Sequence, residues 1–589
     1  MSAARRRRWQ GIAAALLVGI AWPARAWQPT LDADTLTAEE RAAAQHLIER
    51  TSQLLPPPMA EGLPSLRLSF RDDLPDAVHG RIRGQRIRLA RHLLHADDDG
   101  PAIDALLHEL AHAYDRRTEL SRDPRLLDLA GWQIRPRRFG LRTRNRTRDR
   151  SPDPYELRSP REFFAVNVEY FLRDPAYACR RPALFAFLAE RLGTPRHGEP
   201  ATCAPALPFV VPAGDAALEA LDPARVYGIE YLFAEPTDAA MSRWGHSMLR
   251  LVVCAPGRPP GPDCRFDLRH HRVLSFRAFV DDVQIAGWRG LTGRYPSRLF
   301  VLPLTQVIEE YTAIELRGLR SVPLRLSNEE IAGMLQRAAQ LHWSYDGRYT
   351  FLGNNCASET FKLLHDGVPR LAHEPIAAIA PNALLRRLER AGIADATPLQ
   401  GEDAVRLGYW FPPADRHYAE LFDIARSTLA LPMRDARAWL DLAPEKRAPW
   451  MIRGDLRASA ALLVLEEAAL RRAELRARDA LKRHLAAHRS DPLRSQLAEA
   501  LALEGALARP ASLLDGLPGY GLPQTDERHH AIARADALRE DWQARSQRLQ
   551  GLALDALPPR QRNALTGTRE NLERLSAHLR TLAAQVGAR

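Results

Sequence analysis

Trp244-Gly245-His246-Ser247-Met248-Leu249-Arg250-Leu251 sets a histidine at the mouth of an apolar strand. About 110 residues later comes Tyr345-Asp346-Gly347-Arg348-Tyr349-Thr350-Phe351-Leu352-Gly353-Asn354-Asn355-Cys356-Ala357-Ser358-Glu359-Thr360-Phe361, where a Gly/Asn loop gives way to a helical run at Cys356. A helix N-terminus favours a thiolate, a nearby histidine favours it further, and the free backbone N–H groups there suit an oxyanion. Cys356 is therefore a candidate nucleophile and His246 its base. Taken singly, each residue reads better as a buried core side chain than as a catalytic group.

Working outward, Val226 to Phe233 and Ser247 to Val253 read as strands, and Asn328 to Leu341 and Ala357 to Leu364 as helices. They define a second α/β region over 213–395. Before it, His197 to Gly214 is rich in Pro, Gly and Ala and reads as a linker. The preceding region, 27–198, is mixed α/β. Leu66 to Phe70 and Arg81 to Leu89 alternate as half-buried strands do, and Ile103 to Tyr114 has a helical period. From Tyr418, Ala, Leu, Arg and Glu recur at helical spacing, broken near Arg509 to Pro523, so 400–589 is a helical C-terminal region. The fold class expected is α+β multidomain.

The 589 residues carry 83 Lys+Arg and 72 Asp+Glu, a net +11, with 46% apolar residues; a fibrous or wholly disordered chain is excluded. Only Lys362, Lys446 and Lys482 are lysine, so the positive charge is almost all arginine, spread along the chain with no aromatic-basic cluster. Nucleic-acid binding is not expected. Arg5–Arg8, the apolar Gly11–Trp22 and Ala24-Arg25-Ala26 form a signal peptide over 1–26, cleaved near Ala26. No later apolar stretch is long enough to span a bilayer, so a periplasmic or secreted protein is expected, with contact at a membrane surface left open. The five cysteines fit an oxidising compartment. The parsimonious pairing joins Cys179 to Cys203 and Cys254 to Cys264 across short Pro-rich segments and leaves Cys356 free, although sequence does not fix connectivity.

A second constellation lies upstream. His108-Glu109-Leu110-Ala111-His112 sets two histidines at i and i+4, on one helical face, where both can ligate a single metal. Glu109 beside them can take a proton from a metal-bound water. Zinc needs a third ligand, and the place to look is Ser159-Pro160-Arg161-Glu162-Phe163-Phe164-Ala165, with Glu169-Tyr170-Phe171 following. The same residues read as a capping box, with Ser159 as N-cap, Pro160 at N1 and Glu162 at N3.

Two resemblances attach to these motifs. H-E-x-x-H-A-x-D, followed about 50 residues on by E-F-F-A, resembles the zincins of the Mlc titration factor and lethal-factor type. The resemblance implies a zincin-like α/β domain binding Zn2+ through His108, His112 and Glu162. It also implies Glu109 as base and Tyr155, seven residues before Glu162, as stabiliser of the oxyanion. W-G-H-S-x-L-R with the later N-N-C resembles the periplasmic N-terminal domain of Lnb-type lipoprotein N-acyltransferases. That family is a permuted relative of the NlpC-type papain-like hydrolases, and the Asn-Asn-Cys element is also similar to lecithin:retinol acyltransferase. This implies a permuted papain-like α+β domain with Cys356 as acyl-carrying nucleophile and His246 as base. Asp267 and His271 are open as the residue that orients His246. Lnb-type enzymes continue into membrane helices, whereas this chain continues into a charged helical region.

The function expected is a secreted envelope enzyme. Its thiol centre would act by acyl transfer or hydrolysis on a phospholipid or lipoprotein, fused to a zinc metallopeptidase centre acting on lipoprotein or cell-wall peptide. Two alternatives stay open: a zinc endopeptidase in which the Cys/His domain only binds, and a non-enzymatic envelope scaffold. His270-His271 and His529-His530 lack partners at ligand spacing, and Gly516 to Gly521 follows no strand, so neither adds a site.

Overall fold

In the first strand-rich segment, Leu68 and Phe70 are buried while Arg67 and Arg71 are exposed, the alternation that lets one sheet face pack and the other meet water. The computed structural model describes residues 27–75, 78–132, 150–196, 201–237, 243–280, 294–345, 347–350, 353–488 and 490–587. Its contacts divide the chain into two units. The first comprises residues up to Glu119 with Phe164–Asp174 and Phe187–Glu199; the second is Leu120–Phe163, Pro175–Ala186 and Pro200–Arg589.

The first unit has a four-stranded sheet in the order β1 (Thr30–Leu31), β2 (Arg67–Arg71), β4 (Arg86–Ala90), β3 (Gly80–Arg83). β1, β2 and β4 run parallel and β3 pairs antiparallel at the edge. The expected run Arg81 to Leu89 is thus two strands, not one. Gly84, at φ +58°, turns the chain between them, a left-handed conformation that costs glycine little. Helix α1 (Ala38–Leu54) starts at a capping box made by Thr37 and Glu40. Helix α2 (Gly100–Thr118) buries Ile103, Leu106, Leu107 and Leu110 completely, each such side chain contributing about 1.5–3 kcal/mol. Helix α3 (Pro124–Leu129) belongs to the second unit. The division passes through helix α4 (Pro160–Arg173), which is one continuous helix and is described whole with the first unit.

The second unit is built on a seven-stranded sheet. Its order is β12 (Gly347–Tyr349), β10 (Tyr295–Pro303), β9 (Arg272–Ala278), β8 (His246–Val253), β7 (Val226–Ala234), β11 (Leu319–Pro323), β13 (Trp410–Phe411), with every pair antiparallel. One face packs Ile229, Tyr231, Leu249, Leu251, Phe276 and Val301 against helices α5 (Asn328–Ser344) and α6 (Cys356–Gly367). The other packs Leu232, Met248, Val273 and Leu302 with Val307 and Tyr311. Both faces are covered, which is why β8 reads as a nearly unbroken apolar run.

One sequence expectation changes here. The Pro-rich stretch read as a linker contains β5 (Leu207–Val210), which pairs antiparallel with β6 (Leu218–Leu221) and is buried along its length. Pro208 is accommodated because the ribbon has only two strands, so a missing N–H can face away from the partner. Of the helical C-terminal region, Leu507, Leu513, Leu514, Leu522, Ala531 and Ala535 join the core of the seven-stranded domain. The remainder, including helices α7 (Asp415–Leu429), α8 (Leu456–Ala487) and α9 (Pro559–Gly587), builds its own core around Trp439, Leu462 and Leu575. Arg150 Nε donates to the Gly521 carbonyl at 3.0 Å and Arg180 Nη1 to the Tyr520 carbonyl at 2.9 Å. These bonds help explain why residues from the middle of the expected first domain cluster with the second unit. The architecture is mixed α+β and multidomain, with a helical C-terminal region. Among the described residues no helix is long and apolar enough to cross a membrane.

Both expected disulfides are present, Cys179–Cys203 and Cys254–Cys264, and Cys356 is the free cysteine.

Candidate functional site

Cys356 opens helix α6 and is 5% exposed. The two asparagines before it have separate structural tasks. Asn355 is the N-cap, its side chain accepting from Ala357 N at 3.1 Å and Ser358 N at 3.2 Å while its amide donates to the Ile379 carbonyl. Asn354 is clamped from all sides. Its backbone N donates to Thr350 Oγ1, its amide to Glu359 Oε1 and the Arg348 carbonyl, and its oxygen accepts from Lys362 Nζ at 2.8 Å. The loop that presents the thiol is therefore fixed by hydrogen bonds on both sides of the chain.

The thiol is surrounded by phenols. The Tyr349 hydroxyl hydrogen-bonds the Cys356 thiol and accepts from the Cys356 backbone N–H; burial first, then the neighbouring thiol, holds it well above the ordinary tyrosine range. Tyr231, fully buried, donates to the Pro381 carbonyl at 2.8 Å and is also pushed up by burial and then by Cys356. Both phenols stay protonated and can act as donors.

His246 begins β8 directly after Gly245, whose φ is +80° and where an added Cβ would lie 2.5 Å from the Ala234 carbonyl oxygen. Only glycine lets the chain pass that close to β7. The imidazole stacks on Tyr311 with centroids 6.2 Å apart. Its Nε2 shares a 3.2 Å hydrogen bond with Ser275 Oγ, which also accepts from Arg277 Nε at 3.0 Å. Arg277 is held in turn by both carboxylate oxygens of Glu310. Burial, then Arg277 and Arg317, lowers the His246 pKa to about 3, so the ring is neutral. Helix α6 packs on β8 and β9, which brings the element headed by Cys356 onto the strand headed by His246. Their side chains are not hydrogen-bonded to each other in this structure.

Neither residue left open as the orienting partner of His246 fills that place. Asp267 accepts from Ala255 N at 2.8 Å and pairs with Arg258. His271 donates from Nε2 to the Cys264 carbonyl at 2.8 Å and accepts from Arg250 at Nδ1. Ser275 holds the ring instead. In the sequence it is one hydroxyl in a buried strand; the signal available was a polar residue in an otherwise apolar run.

The upstream motif also folds as a cluster. His108, Glu109 and His112 lie in helix α2, and His108 and His112 cross as T-shaped rings with their Nε2 atoms 3.1 Å apart. The Glu169 carboxylate, from α4, accepts at 2.5 Å from His108 Nδ1, fixing the tautomer that turns Nε2 inward. His108, His112 and Glu162 each offer a donor atom, and the three lie within 4.8 Å of one another. The donor set and the 3.1 Å separation fit a tetrahedral cation with bonds of about 2.0–2.1 Å. Ser159 Oγ accepts from Glu162 N at 3.3 Å, so the capping reading of this helix start holds alongside the cluster. Glu109 is buried, and a Cβ added at Gly80 on the edge strand would lie 3.2 Å from its Oε1. Tyr155 is 37% exposed on a short helical turn, Pro154–Arg158, with the Arg158 guanidinium over its ring. Glu169 was visible in the sequence, but its role depends on how α4 lies against α2.

A third cluster was not anticipated. Asp128 of α3, His365 and Asp366 of α6 bring donor atoms within 4.8 Å of one another. Burial, then Asp366, raises the Asp128 pKa to about 9.

Against known families, residues 214–391 match the Lnb N-terminal periplasmic domain. Residues 28–119 and 113–199 match a domain of unknown function (DUF7844) in two overlapping pieces. No curated protein and no solved structure matches the chain.

Proposed function

We propose that this protein is an envelope enzyme whose Cys356–His246 centre cleaves an acyl ester or amide of a phospholipid or lipoprotein, and passes the acyl group to an amine or to water. The observation that carries the reading is the free thiol of Cys356 on the first residue of a helix, within phenolic donors and inside the region similar to the Lnb domain. That domain's periplasmic description and the two disulfides support an envelope location. In this reading the domain has the permuted papain-like fold that its Lnb resemblance implies.

With Nε2 of His246 held by Ser275, Nδ1 is the nitrogen that takes the thiol proton. The thiolate attacks the carbonyl, a C–S bond forms, and the C–O or C–N bond breaks as His246 returns the proton to the leaving group. An amine or water then attacks the thioester, losing a proton to His246, and the departing thiolate recovers it. Tyr349, already at the Cys356 thiol and N–H, donates to the developing oxyanion. Incubating the protein with phosphatidylethanolamine vesicles and a diacylated lipopeptide tests this. Lysophospholipid should form with the parent and not with Cys356→Ser or His246→Gln; equal turnover in Cys356→Ser would overturn it.

A second centre is supported by the His108–His112–Glu162 cluster and its Glu169 partner. In the zincin-like reading these three residues hold Zn2+, which when bound supplies Lewis acidity to a peptide carbonyl. Glu109 moves the proton of the attacking water to the leaving amine, and Tyr155 donates to the carbonyl oxygen. Lipoprotein or cell-wall peptide is the substrate class. Peptide cleavage lost in Glu109→Gln with bound zinc retained supports this; cleavage unaffected by Glu109→Gln contradicts it.

A further inference from the structure

We propose that Asp128, His365 and Asp366 form a second divalent-cation site, distinct from the His108 cluster, that fastens helix α3 to the helix bearing Cys356. His365 Nδ1 lies 3.0 Å from Asp366 Oδ1 and 3.6 Å from Asp128 Oδ2. Ligand atoms around a tetrahedral cation with bonds of about 2.0–2.2 Å are spaced about 3.3–3.6 Å, so both distances from His365 lie close to that spacing, and all three donor atoms are within 4.8 Å of one another. The side chains of Asp128 and Asp366 are 4% and 2% exposed. Asp128 Oδ2 is buried with no hydrogen-bond partner and faces His365, an acceptor left open where burial makes an unmet carboxylate costly.

The surroundings fit an ion too. Arg337 Nη2 donates to Asp366 Oδ2 at 3.1 Å and to the Asp128 carbonyl at 2.9 Å. It thereby orients both residues while leaving Asp366 Oδ1 to the centre, the role outer-sphere groups play at metal sites. With Asp128 ionised, Asp128, Asp366 and Glu359 carry one more charge than the facing Arg337 and Lys362, an excess that a cation neutralises in place of the proton Asp128 otherwise holds. A mixed imidazole and carboxylate donor set selects a borderline first-row ion such as Zn2+ over Ca2+ or Mg2+. His365 and Asp366 sit in the last turn of α6 and Cys356 in its first, about 14 Å apart at 1.5 Å per residue, so the ion is structural and does not meet the substrate.

The test is metal stoichiometry on the full chain by inductively coupled plasma mass spectrometry after equilibration with Zn2+ and dialysis, with folding of each variant checked by circular dichroism. The parent should hold two equivalents, His108→Ala/His112→Ala one, and His365→Gln one. Cobalt loaded into folded His108→Ala/His112→Ala should give a visible d–d spectrum that is lost on adding Asp128→Asn. A parent with one equivalent that disappears in His108→Ala/His112→Ala overturns this inference and leaves the zincin-like reading intact. One equivalent that disappears only in His365→Gln does the reverse. A folded His108→Ala/His112→Ala protein that holds no metal assigns the neutralising charge at Asp128 to a proton and refutes the site.

Discussion

Two buried histidines should make the seven-stranded domain acid-labile. The His342 ring is used at both nitrogens: Nδ1–H donates to the Leu299 carbonyl at 2.9 Å, and Nε2 accepts from Val210 N at 2.9 Å. A second proton would have to sit against the Val210 N–H. His271 is locked in the same sense, donating from Nε2 to Cys264 O while Nδ1 faces the Arg250 guanidinium at 3.0 Å. Burial lowers the His342 pKa to about 4, and burial followed by Arg250 lowers that of His271 to about 3. Above about 6.5 both folded and unfolded rings are neutral and contribute no pH dependence. Below it the unfolded chain binds protons that the folded chain refuses, so stability falls as pH drops toward 4. At pH 5, about 1.5 units below the free value, each ring costs about 2 kcal/mol, and the two together about 4 kcal/mol. Guanidinium unfolding of this unit at pH 7.5 and 5.0, parent against His342→Gln and His271→Gln, isolates their share, because the lowered His246 adds to the acid loss and the raised Asp128 opposes it. His342→Gln should flatten the slope between pH 5 and 6 by about 1.2 kcal/mol per pH unit. Protection of the Val210 amide, corrected for intrinsic exchange, should fall about 30-fold from pH 7.5 to 5.0. A slope that His342→Gln leaves unchanged would refute the reasoning.

Other perturbations have definite outcomes. Glu230 is 3% exposed and pairs with both Arg250 and Arg265, so Glu230→Ala strands two buried guanidinium groups and should cost about 3–5 kcal/mol in thermal or denaturant unfolding. Gly245→Ala must relieve a contact with the Ala234 carbonyl at positive φ; a loss of about 2 kcal/mol and slower turnover should accompany it. Ser275→Ala removes the partner of His246 Nε2 and should lower kcat about tenfold or more with little change in KM, and Ser275→Thr should recover part of it. Alkylation of the unreduced protein followed by peptide mapping should label Cys356 alone, at a rate raised by mild denaturant because the thiol is buried.

The sequence disclosed most where chemistry is written in short spacing. The i, i+4 histidines, the free cysteine left by two short-range disulfides, and the strands beginning near Val226 and His246 could all be read because each depends on neighbours along the chain. What escaped depends on distant partners. Ser275 orients His246 only because β9 lies beside β8, and Tyr349 reaches Cys356 because the loop folds back on the helix start. Glu169 becomes the partner of His108 only when α4 lies across α2. Asp128, unremarkable in its own helix, gains meaning from His365 and Asp366 more than 230 residues away. Gly84 split a run whose alternation looked continuous, since a hairpin with a tight turn keeps the two-residue period on both sides. Pro-rich composition hid β5, whose burial comes from packing that composition does not encode.

The central claim is that Cys356 carries an acyl group. Intact mass of the mature protein after brief incubation with phospholipid vesicles, beside Cys356→Ala, tests it most directly. A fatty-acyl increment on the parent, absent from Cys356→Ala and removed by hydroxylamine at neutral pH, is the predicted result. An unmodified parent whose Cys356 still reacts with alkylating agents, while lysophospholipid accumulates, would contradict it.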